Sequence, residues 1–270
     1  MSQLSPHATD AVLGLEDFLE RVEREIDFDA PDGLLAATPL LSALANDRHF
    51  LVERLNAELA SGDFQPGNEA TAATLHLATR ARFFVRANIW MPWAASGPAR
   101  DWQQQLFFYD VPHDHDLDFL TVGYHGPGYE TDLWEYERAS IVGRPGEPVV
   151  LTPRGRFRLS RGTVMHYRAH VDVHTQWPPE ALSVSINLVS RTRRHRWEQL
   201  LFDVEQGSVR APVEGASRAR ATLCMAAAQL GDARTAALLE RVAYERPCET
   251  TRLAALDGLA NLEPSHGERL

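Results

Sequence analysis

The run PHDHD, residues 112–116, stands between QQLFFYDV (104–111) and DFLTVGYHG (118–126), two stretches rich in aromatic and branched side chains. Residues two apart on an extended chain point to the same face. His113 and His115 can therefore aim two imidazole nitrogens at one point. A metal ion held there needs at least one further protein ligand, and the chain offers candidates downstream. After Arg161-Gly162, TVMHYRAHVDVHTQ (163–176) carries His166, His170 and His174 ahead of LSVSINL (182–188).

From about residue 103 to 205 the pattern around these histidines is one of short runs divided by Gly and Pro. QQLFFYDV, DFLTVGYHG, TDLWEYERASIVG, EPVVLTP, RGRFRLS, GTVMHYRA, ALSVSINLVS and RWEQLLFDV each read as strands. So many short strands without long helical insertions predict an antiparallel β-barrel or jelly roll. GPG at 126–128 reads as a hairpin turn. The flanks have the other period. In AVLGLEDFLERVEREI (11–26), Val12, Leu15, Leu19, Val22 and Ile26 recur every three or four residues, one face of a helix. Further helices fit SALANDRHFLVERLNAELASG (42–62) and EATAATLHLATRARFFVR (69–86). From Ala216 onward the helical period returns, with a break at Gly231-Asp232. The expected chain is α+β: an N-terminal helical region over 1–100, a barrel with the metal site over 101–210, and a helical tail over 211–270.

Bulk properties bound the function. Net charge is −10, with 37 acidic against 27 basic residues, which opposes nucleic-acid binding. No apolar run reaches the roughly 20 residues that cross a bilayer, so no membrane role is expected. The N-terminus lacks the basic-then-apolar pattern of a signal peptide, giving a cytoplasmic expectation. Cys224 and Cys248 have no CxxC partner, so they do not read as a zinc or redox motif.

HxH followed by a late histidine, inside an all-β stretch, resembles the cupin superfamily. His113-Asp114-His115 matches the early motif; Gly162, the strand TVMHYRA and then His174 match the late one. By that spacing the resemblance implies His174 as third ligand, with His170 as runner-up and His166 after it. The resemblance covers about residues 103–205. Many cupins add a glutamate four or five residues after the second histidine, where this chain has Phe119 and Leu120. The simplest set is then three histidines, as in the thiol-dioxygenase branch, with Glu130 or Glu135 as carboxylates that could reach the ion from the next strand. Oxygenases dependent on 2-oxoglutarate usually carry HxD, which disfavours that branch.

Three neutral imidazoles with open positions suit Fe(II), and also Zn, Ni or Cu. The resemblance implies a mononuclear non-heme iron oxygenase taking O₂ and a small polar substrate, such as an amino acid or derivative. A non-oxidative lyase or isomerase and a ligand-sensing module without catalysis are the alternatives. Asp114, Asp116, Gln176 and Asn187 are candidates to bond the outer ring nitrogens of the ligands. Tyr124, on the strand after HxH, and Arg168 are the catalytic candidates. Arg156 and Arg158, alternating on one strand, could clamp a carboxylate. The helical regions offer a surface for a homodimer.

Overall fold

Apolar residues at helical spacing bury one side of α1 (Leu15–Glu25) through Phe18, Leu19 and Val22, with Glu16 and Asp17 in its first turn favouring the helix dipole. A 3-10 turn, Gly33–Ala37, leads into α2 (Thr38–Asn46), which is buried on most sides. Then α3 (Phe50–Ser61) ends at Gly62, whose left-handed backbone (φ 71°) returns its N–H to Glu58. The computed structural model describes residues 4–5, 9–62, 65, 73–94, 96–192, 197–213, 216–232, 234–245 and 249–262. His7, His195, His266 and Cys248 lie outside them.

The strands are β1 (Leu4–Ser5), β2 (Thr74–Thr79), β3 (Phe83–Trp90), β4 (Phe119–His125), β5 (Glu130–Glu135), β6 (Thr152–Arg158), β7 (Val164–Tyr167), β8 (Asp172–Trp177), β9 (Ser183–Ser190), β10 (Leu200–Asp203) and β11 (Ser208–Pro212). The larger sheet has the order β1-β7-β4-β9-β3-β2 and the smaller β6-β5-β8; β10 and β11 pair separately. The pairings within the larger and the smaller sheet are antiparallel.

Alternation along the larger sheet separates two cores. Val85 and Ala87 of β3, Leu120, Val122 and Tyr124 of β4, Val164 of β7, and Ile186 and Leu188 of β9 pack under α1 and α2. The opposite side chains, Trp90, Phe119, Met165, Tyr167 and Val189, meet Tyr129 and Leu133 from the smaller sheet. The two sheets thus face each other across a shared apolar layer, as in a jelly roll.

Three sequence readings change here. Of residues 69–86, the described part, 73–86, does not form a helix; 74–90 form the β2–β3 hairpin. The alanines favour a helix locally, but Leu75, Leu77, Phe83, Val85 and Ala87 are buried at strand period, and that burial decides. QQLFFYDV is not a strand. Gly97 and Pro98 open a helix, α4 (Pro98–Phe107), which Phe108 and Asp110 end in left-handed conformations (φ 58° and 55°). GPG is not a hairpin turn either, since β4 pairs with β7 and β9 while β5 pairs with β6 and β8. It carries the chain from one sheet to the other. Gly128 has φ 81°, and a Cβ there would lie 1.9 Å from the Leu159 carbonyl oxygen.

The chain forms two compact units: Met1–Arg193 with Leu200–Ala211, and Arg194–Gln199 with Pro212–Leu270. The second unit contains α5 (Ala216–Leu230), α6 (Thr235–Glu245) and α7 (Glu249–Ala260), whose small core joins Cys224, Ala228, Leu239, Ala243 and Ala255. Among the described residues no helix is long and apolar enough to cross a membrane.

Candidate metal centre

Residues 109–115 run along the edge of β8 as an extra, irregular strand. The His113 N–H donates to the His174 carbonyl at 3.0 Å and the His174 N–H donates back at 2.9 Å. On its other edge the segment meets β10: Asp114 N–H donates to Leu200, and Phe202 N–H donates to Pro112. The His170 N–H donates to His115 at 2.9 Å. The backbone carrying the HxH motif is therefore held from both sides.

His113, His115 and His174 converge, each offering a ring nitrogen, with the three nitrogens within 4.8 Å of one another. The Nε2 atoms of His115 and His174 stand 2.9 Å apart. The His113 ring donates from Nδ1 to the Val111 carbonyl at 2.7 Å, which leaves Nε2 as its ligand atom. Burial lowers the pKa of all three rings. For His115 and His174 it falls well below the ordinary value, with repulsion from His113 adding to burial. Neutral rings keep the lone pair that a metal requires. Two nitrogens bound to one ion at about 2.0–2.1 Å each stand no more than about 4 Å apart, so small ring movements suffice to close the set. The donors fit a divalent transition metal.

Asp114, between the two histidines, points the other way into a buried network. It accepts from the Leu200 N–H (2.6 Å), the Tyr136 hydroxyl (2.6 Å) and His170 Nδ1 (3.1 Å). Burial, then the charge of Asp114, raises the Tyr136 pKa strongly, so that hydroxyl remains a donor. Asp114 thus anchors the chain and does not bond a ligand ring; the His113 ring is oriented by a carbonyl instead. His170, the alternative ligand, belongs to this network and has a left-handed backbone (φ 56°). Glu130 and Glu135 are held in ion pairs: Arg158 pairs with Glu130, and both Arg154 and Arg168 pair with Glu135. Among the described residues no carboxylate joins the three histidines.

Tyr124 is not brought to the imidazoles, and Arg168 is committed to ion pairs. Tyr124 faces the helices, where its hydroxyl donates to Asp47 O at 2.9 Å. Arg168 is neutralised by Asp172 and Glu135, each at 2.6 Å. Arg156 and Arg158 form cross-strand pairs with Asp132 and Glu130 on the exposed side of the smaller sheet and clamp nothing inside. His125 is exposed at the end of β4.

The wall around the imidazoles is aromatic. Tyr167 stacks on Phe119 at 4.8 Å and lies 4.6 Å from the His174 ring; Phe108 meets His113 edge-on at 5.0 Å. The Tyr167 hydroxyl is buried beside Tyr129 and Thr131, and burial raises its pKa well above the ordinary value. Arg86 on β3 alternates onto the same face as Phe84, and its charge adds to the lowering of the His115 pKa. Sequence reading missed it because its segment looked helical, although the alternation in FFVRANIW carried the signal.

No family model matches the chain, and no curated protein matches it. Several solved structures are similar in part. A crystal structure of hydroquinone 1,2-dioxygenase PnpCD with Cd²⁺ and 4-hydroxybenzonitrile is 12% identical, covering 46% of this chain and 68% of that one, with a TM-score of 0.30. The DMSP lyase DddQ of Ruegeria pomeroyi DSS-3 is 12% identical over 74% of this chain and 82% of its own (TM-score 0.29). A cupin domain of Bordetella pertussis Tohama I is 15% identical over 46% of this chain and 96% of its own (TM-score 0.25). These structures include a dioxygenase, a lyase and a cupin domain.

Proposed function

We propose that this protein is a metal-dependent enzyme of the cupin type, a mononuclear non-heme iron oxygenase whose ion is held by His113, His115 and His174. One observation carries the reading: three neutral imidazoles converge on a buried point with no carboxylate among them, a donor set that leaves coordination positions free for a substrate and O₂. Bound Fe(II) would supply electrons to O₂ and act as a Lewis acid towards a small substrate.

The protein's part is to hold and to exclude. Backbone bonds from β8 and β10 fix the HxH segment, and the Val111 carbonyl sets which nitrogen of His113 faces inward. Phe108, Phe119 and Tyr167 keep water from the imidazoles and give a flat apolar wall for a substrate.

The test uses untagged protein, analysed for metal as purified and after anaerobic loading with Fe(II). Oxygen uptake and product formation are then followed with a panel of amino acids and thiols. Stoichiometric iron with substrate-dependent oxygen uptake is expected, and His115→Ala should lose the metal while remaining folded. Product formation without oxygen uptake would replace the oxygenase with a lyase or isomerase. Full metal occupancy in His115→Ala would overturn the site itself.

A further inference from the structure

A left-handed backbone is unfavourable for any residue with a Cβ, and one kept in a protein interior calls for a reason. Among the described residues Gln65, Phe108, Asp110 and His170 adopt it without being glycine. Of these, only His170 (φ 56°) is buried. Glycine would take the same conformation at little steric cost. What the chain keeps at position 170 is therefore the imidazole.

Backbone and ring of His170 reach two successive residues of the ligand segment. Its N–H donates to the His115 carbonyl at 2.9 Å, and its ring bonds through Nδ1 to Asp114 Oδ2 at 3.1 Å. Its own chain leads through the turn at Arg168–Asp172 into β8, where His174 lies. His170 thus ties the segment bearing His113 and His115 to the segment bearing His174. This tie is separate from the backbone pair His113–His174. Asp114 collects the Leu200 N–H of β10 and the Tyr136 hydroxyl at the same carboxylate, and the Tyr136 N–H donates to the Val171 carbonyl at 3.1 Å. A bound ion tolerates deviations of only about 0.2 Å in its ligand distances. A slip of the ligand segment against β8 would move two imidazoles together relative to the third.

We infer that His170 is a positioning residue of the metal centre. Its ring, bonded to Asp114, fixes His113 and His115 against His174 and so sets the affinity and geometry of the ion. His170 is not one of the converged imidazoles; it acts through Asp114. This deepens the reading of the three histidines as a metal centre and rests on it.

The experiment loads the full metal-free chain with Co(II) and records its visible ligand-field spectrum. Zn(II) affinity is measured by competition with a chromophoric chelator, and circular dichroism of each metal-free protein reports its fold. His170→Gly keeps the backbone N–H and the left-handed turn but loses the ring. His170→Asn also tolerates that turn, and its side-chain amide can donate to Asp114. The glycine variant should bind Zn(II) about 10–100-fold more weakly than wild type, with an altered Co(II) spectrum. The asparagine variant should return to within about threefold of wild type, with the wild-type spectrum. In an Asp114→Asn background, His170→Gly should add little, because both changes act on one bond. Wild-type affinity and spectrum in His170→Gly overturn the assignment. An asparagine variant as impaired as glycine does the same, since that marks a direct ligand. So does a full loss that persists beside Asp114→Asn, or a glycine variant that does not fold. A wild type that takes up no metal ends the metal reading and this assignment with it; metal uptake that is equal in all variants ends this assignment alone.

Discussion

Between the two histidines that face the site, Asp114 turns a carboxylate into the protein and satisfies three donors at once: the Leu200 N–H, the Tyr136 hydroxyl and His170. Removing it strands those donors in a buried place, where each unsatisfied group costs about 1–3 kcal/mol. Asp114→Ala should therefore destabilise the protein by roughly 3 kcal/mol or more, and Asp114→Asn, which keeps one acceptor oxygen, by less. Urea unfolding of the three proteins measures this. An alanine variant within about 1 kcal/mol of wild type would show that the network is replaceable. At this scale the sequence was readable where chemistry and spacing coincide. His113 and His115 share a face because they are two apart, and His174 follows a glycine-opened strand. The placement of Arg86 was hidden because it depends on which strand its neighbours join, a property of pairing partners a hundred residues away. Tyr124 was misplaced because strand parity alone does not say which face meets the helices.

Among the elements, those with a sustained period were legible: α1, β4, β7, β9 and the helices of the second unit. The failures lie where local propensity and tertiary burial disagree, as in the β2–β3 hairpin. They also lie where a turn signal admits two outcomes, as at GPG. That connection supplies its own test. Gly128 has φ 81°, and a Cβ would meet the Leu159 carbonyl oxygen at 1.9 Å; Gly146 has the same φ but nothing within 4 Å of its Cβ position. Gly146→Ala then bears only the left-handed backbone cost of about 1–2 kcal/mol. Gly128→Ala adds a clash with rigid backbone and should cost about 3 kcal/mol or more. Denaturation of both variants in parallel decides it. Equal losses would mean that the crossover between the sheets yields easily and does not fix their spacing.

For the molecule as a whole, the site sits on elements far apart in sequence, and that makes metal binding and folding one equilibrium. His113 and His115 come from the segment before β4 and His174 from β8, so an unfolded chain presents no converged set. An ion that binds only the folded form stabilises it by RT ln(1 + [M]/Kd), about 2.7 kcal/mol at a hundredfold excess over Kd. For a folded unit of this size that is a rise in melting midpoint on the order of 5–10 °C. Removal of metal by a chelator should lower the midpoint of wild type by that amount, and re-addition of Fe(II) under anaerobic conditions should restore it. His115→Ala should show neither change, because two remaining rings hold the ion too weakly to matter at the same concentration. The acidic surface sharpens the comparison: a net charge of −10 attracts cations without specificity, and that attraction persists in the variant. A midpoint that rises equally in wild type and His115→Ala would assign the stabilisation to the surface, and the three histidines would then be a buried cluster without an ion.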